Sequence, residues 1–157
     1  MIETMIMSAR SWLLTVVASF FVFSTGLALA GTRKASGAPR IFLGPEGRRL
    51  TVIALAPPEE ARFLIHFEGC GGPWEAKSIL HERVRHASGD EYIVSLGKKK
   101  RFTSLRSKST GWSGWTEVTA EAYGTGEALP YAYSEKESKK LDAARVTKLL
   151  ALEASSR

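Results

Sequence analysis

"RFLIHFEGCGGPWE", residues 62–75, joins two kinds of backbone in fourteen residues. Its first half alternates with a period of two: Phe63, Ile65 and Phe67 fall on one face, Leu64 and His66 on the other. That is the repeat of a strand. Its second half holds three glycines and Cys70, the sole cysteine of the chain, and breaks the pattern. A β-rich fold with irregular, glycine-built loops follows from this stretch.

The flanking sequence repeats the theme. Upstream, "RIFLG" and "RRLTVIALA" read as strands joined by a turn at 44–47, and Pro57-Pro58-Glu59-Glu60 marks the next turn. Downstream, "KSILHERVRH" and "EYIVSL" are separated by a turn at 87–90. The hairpin turn Gly97-Lys98-Lys99-Lys100 leads into "RFTSLRS", and the loop "KSTGWSG" precedes "WTEVTAEAY". Five to seven short strands with turn signals every ~8–12 residues predict an antiparallel sheet, as a sandwich or partial barrel. At the C-terminus the period changes. Ser134 and Glu137 form a capping-box pattern, Asp142 can cap a second helical turn, and Val146, Leu149 and Leu150 share one helical face. The expectation is an α+β fold: strands over 40–123, then one broken helix or two short ones over 134–154, packed on the sheet.

The first thirty residues have another purpose. Arg10 precedes an apolar run from Trp12 to Ala30 that closes on Ala28-Leu29-Ala30, the small-residue pattern of a signal-peptidase site. A secretory signal over 1–30 is expected, with an uncleaved anchor as the competing reading. Glu3 is out of place in a positive n-region, and a start at Met7 would remove it. No cysteine directly follows the run and no Arg-Arg pair precedes it, so lipoprotein and twin-arginine export are unsupported. A polar, flexible leader over 31–39 and a single globular domain over 40–157 are expected to follow. The chain carries a net charge of +6, and the signal segment, with Glu3 and Arg10, does not alter it. One cysteine makes no internal disulfide, so apolar burial alone must hold the fold.

Cys70 invites a catalytic reading, since a nucleophilic thiol needs a lowered pKa and a base within reach, and His66, His81 and His86 are the candidates. No catalytic-cysteine signature surrounds it, however. The favoured reading is a small buried residue at a sharp turn. The histidine and cysteine spacings match no zinc site, and no serine-hydrolase elbow, Walker or dinucleotide glycine pattern occurs. No catalytic residue, metal or cofactor is expected.

Two features point to binding. Trp112 and Trp115 in "TGWSGWTE", with Trp74 in the other glycine-rich loop, offer a platform for a sugar, a peptide or a protein surface; the competing reading is closure of the core. Lys98, Lys99, Lys100 and Arg101 cluster at one hairpin tip, with Arg106, Lys108, Arg83 and Arg85 nearby in sequence. These suit an anionic surface, or merely a solvated edge that resists aggregation. The leading expectation is an exported, non-catalytic binding module, inhibitor-like or immunity-like, engaging a protein or cell-envelope ligand through its Gly/Trp loops. The envelope ligand would be a glycan or an anionic lipid; the first alternative is a polyanion- or envelope-surface protein using the basic hairpin. A thiol-dependent or hydrolytic enzyme centred on Cys70 is the second. Nucleic acid is not expected as a partner, and a membrane only through an uncleaved segment 1–30.

Overall fold

The computed structural model describes residues 33–108 and 116–154. Eight antiparallel strands close into a barrel: β1 (Arg40–Leu43), β2 (Arg49–Ala54), β3 (Arg62–Glu68), β4 (Ser78–His86), β5 (Gly89–Ser95), β6 (Arg101–Lys108), β7 (Glu117–Ala120) and β8 (Leu129–Tyr133). Each strand pairs with the next in sequence, and β8 returns to β1 through Phe42↔Tyr133 and Leu43↔Ala132. Two helices follow, α1 (Glu135–Lys139) and α2 (Ala143–Ala154).

The antiparallel sheet with a C-terminal helical layer is as the sequence predicts. The closed form is a correction: the barrel is complete and has eight strands, not a partial barrel or sandwich of five to seven. The unforeseen strand is β8, beyond the predicted limit at residue 123. It contains Pro130, which argues against a central strand. Tyr133 N–H donates to Thr116 O and Ser134 N–H to Ile41 O, at 2.7 and 2.8 Å. Odd positions of β8 therefore turn to β7 and even ones to β1. Pro130 lies beyond the last β1 pair, Leu43↔Ala132, so its missing N–H forfeits no ladder bond.

The alternation in β3 sorts side chains between two cores. Phe63, Ile65 and Phe67 enter the barrel, among Phe42, Leu50, Val52, Tyr92, Leu105 and Tyr131. An eight-stranded barrel is just wide enough for side chains to fill. Leu64 points outward instead and joins Ile53 and Leu55 beneath Leu149, with Val146 and Leu150 packed alongside. The predicted stripe of α2 thus covers the outside of β2–β4. Its start is capped as expected, with Arg145 N–H donating to the Asp142 carboxylate at 2.7 Å. In α1 the Ser134 hydroxyl accepts from Glu137 N–H at 3.3 Å. Within 31–39, read as a flexible leader, Ala35 bridges to Leu55 and Ser36 N–H donates to Ala54 O at 2.8 Å. None of the described helices is long and apolar enough to cross a membrane.

Candidate binding site at one end of the barrel

Up-and-down topology divides the loops between two ends. Residues 44–48, 69–77, 96–100 and 121–128 lie at one, here the glycine-loop end; residues 55–61 and 87–88 lie at the other.

The glycine loop is held by Glu75. Gly69, Gly71 and Gly72 all have positive φ, at 71, 67 and 72°, a region other residues seldom enter. That conformation aims the N–H groups of Gly69 and Gly71 at the two Glu75 carboxylate oxygens, at 2.9 and 2.8 Å. These bonds, Gly69 first, lower the Glu75 pKa. Cys70 is carried inside, 9 % exposed, with Sγ donating to Gly71 O at 3.2 Å. Burial, and then the Glu75 carboxylate, push the thiol up to about 11, the reverse of what a nucleophile needs.

Trp74 closes this end of the core. It is 6 % exposed and packs against Phe67 at 5.3 Å, Phe102 at 5.6 Å, Tyr123 at 5.8 Å and His81 at 6.0 Å between ring centroids. Trp112 and Trp115 lie outside the described residues. The residues flanking their segment, Lys108 and Thr116, stand at the opposite end of the barrel from Trp74.

The basic residues also separate. Arg83 and Arg85 lie 3.9 and 3.6 Å from Asp90, and Arg106 lies 3.0 Å from Glu91, towards the far end. At the glycine-loop end, Arg101 faces Glu82 at 3.7 Å. Lys100 donates to Tyr123 Oη at 3.3 Å and lies over its ring. Lys98 and Lys99 are exposed and meet no acid among the described residues.

The three histidines part company. His66 faces outward beneath α2, 3.0 Å from Ser78 Oγ, and burial lowers its pKa. His86 is exposed at the far end, 3.5 Å from Glu91. His81 is enclosed in the barrel wall, and burial lowers its pKa to about 4. Its Nδ1 lies 2.8 Å from Ile79 O, so Nδ1 carries the proton and Nε2 accepts from Ser104 Oγ at 2.6 Å. Ser104 reaches it through a bulge: the β5–β6 register shifts between Tyr92↔Leu105 and Ile93↔Thr103, leaving Ser104 unpaired. Neither the bulge nor this pair has a signal in the sequence. Among the described residues no three His, Cys, Asp or Glu side chains converge as metal ligands.

Beside His81 the wall opens. The β4–β5 ladder ends at Glu82↔Ile93, and upstream of it a cavity of about 370 Å³ is lined by residues of both strands. Its lining runs consecutively over 78–82 and 93–96, with Trp74 beside them. Inward- and outward-pointing residues alike border it, so it is a slit between strand edges. No protein-family model, curated protein or solved structure matches the chain.

Proposed function

We propose that this chain is an exported, non-catalytic binding protein, acting in the manner of an inhibitor or immunity protein, and that it takes hold of a protein ligand at the glycine-loop end. Export rests on the sequence of residues 1–30 alone. One observation carries the binding reading: the glycine loop clasped by Glu75, Lys98 and Lys99, which meet no acid among the described residues, and the slit between β4 and β5 all lie at the same end. Loops set by a rigid barrel are where recognition is usually placed. Trp74 contributes as the wall under that end, not as an exposed platform. The buried, weakly acidic thiol of Cys70 lends no support to thiol catalysis.

The exposed lysines also favour a second reading, contact with an anionic envelope surface. The two differ in salt dependence. Replacing Lys98, Lys99 and Lys100 together by Ser is expected to weaken ligand binding at least several-fold while the melting temperature stays within a few degrees, because a hairpin tip buries little. Binding that persists at high salt, where charges ~8–10 Å apart are already screened at physiological ionic strength, fits the protein ligand; binding abolished by salt fits the anionic surface. Unchanged binding in the triple variant would remove the hairpin from the site.

A further inference from the structure

We infer that the slit between β4 and β5 is a strand-acceptor site, taking an extended, acidic segment of a partner protein as an added strand. This rests on the reading that the ligand is a protein held at the glycine-loop end, and it specifies how that protein is held.

Among the described residues, both borders of the slit are strands with one edge in use. Above Glu82, β4 keeps its pairing to β3, from Phe63↔His81 to His66↔Ser78. Beyond Ile93, β5 keeps its pairing to β6 through Val94↔Phe102 and Ser95↔Arg101. The parity of the bonds fixes what faces the gap. Phe67 N–H donates to Lys77 O and Arg83 N–H to Ala61 O, so odd positions of this part of β4 serve β3. Leu80 therefore turns its N–H and C=O to the slit. Leu96 N–H donates to Lys100 O, so even positions of this part of β5 serve β6, and Ser95 turns its backbone groups to the slit from the other side. Edges of this kind template another strand.

The dimensions suit a short segment. Positions 78–81, upstream of the paired Glu82, extend ~10 Å at the ~3.3 Å rise of a strand, room for about three residues. Alternate side chains of that segment would lie inward against Trp74 and outward past Leu80. Charge sets the sign. Glu82, the acid in the lining, is already faced by Arg101, whereas Lys98 and Lys99 at the mouth have no acid partner among the described residues. Apolar residues alternating with Asp or Glu meet both demands.

The test is a phage-displayed heptapeptide library panned on the full chain, with Ser95→Pro as the counter-selection. Ser95 is exposed and its N–H faces the slit, so proline deletes a slit donor without removing a ladder bond. Enriched peptides are expected to alternate apolar and acidic residues. Their synthetic forms should lose about tenfold in affinity, the worth of one hydrogen bond, for a methyl group on any backbone nitrogen of the slit-bound residues, because successive N–H groups serve β4 and β5 in turn. They should lose as much on Ser95→Pro. Peptides indifferent to N-methylation overturn the inference, whether or not Ser95→Pro folds, as does failure to enrich any peptide over that variant. Peptides lost by the triple lysine variant but retained by Ser95→Pro would leave the binding end standing without strand addition. Peptides retained by both would remove the binding end as well. A dimer of the chain that Ser95→Pro dissolves would make a second copy the occupant, and also overturn it.

Discussion

Cys70 shows how far a single residue can be read from its neighbours. Three glycines announce a sharp turn, and the structure supplies what they do not: Glu75 clasps the turn and burial holds the thiol protonated, up to about 11. A thiol reagent at pH 7.5 is therefore expected to modify the native protein slowly and the unfolded protein fast. Cys70→Ser should cost at most about 1–2 kcal/mol, since the buried hydroxyl can keep the bond to Gly71 O. Fast labelling of the folded chain would contradict this. His81 makes a prediction about pH. Its folded pKa, about 4, lies below the ~6.5 of an unfolded histidine, so the unfolded state takes up the proton first as pH falls. Full stability is present above pH ~6.5 and is lost towards pH 4, with about 2–3 kcal/mol gone from this group by pH 4.5. Urea midpoints at pH 7 and 4.5 should show a smaller loss in His81→Gln than in the unmodified chain. Equal losses would mean that His81 is not buried neutral. His66, lowered in the same direction, adds to the background slope of both.

At the scale of elements, period carried most of the information. The two faces of β3 proved to serve two cores, and the stripe Val146, Leu149 and Leu150 found its place against Ile53, Leu55 and Leu64. Replacing Leu149 by Ala should therefore destabilise the protein by about 2–5 kcal/mol, the usual cost of a buried large-to-small change, read from a denaturant midpoint at unchanged slope. A loss under ~0.5 kcal/mol would mean that α2 does not cover the barrel. What period cannot give is partnership across the chain. Arg83, Arg85 and Arg106 look like part of a basic cluster until the register sets Asp90 and Glu91 among them. Trp74 reads as a loop residue until the barrel end closes over it.

For the whole molecule, closure was the part the sequence withheld. It depends on β8, whose proline reads as a break until the direction of its missing N–H is known, and on pairing between residues as far apart as Phe42 and Tyr133. The slit is equally invisible in sequence, since it arises where two strands that remain paired on their outer sides part from one another. It also underlies the functional account, because a barrel zipped along its full circumference would offer a protein ligand no free edge. Amide hydrogen exchange on the free chain tests this most directly. The account predicts alternating protection: the N–H groups of Ile79 and Val94, bonded to β3 and β6, exchange slowly, while those of Leu80 and Ser95, facing the slit, exchange fast. Slow exchange at Leu80 and Ser95 alike would show that β4 and β5 are joined there, and would contradict it.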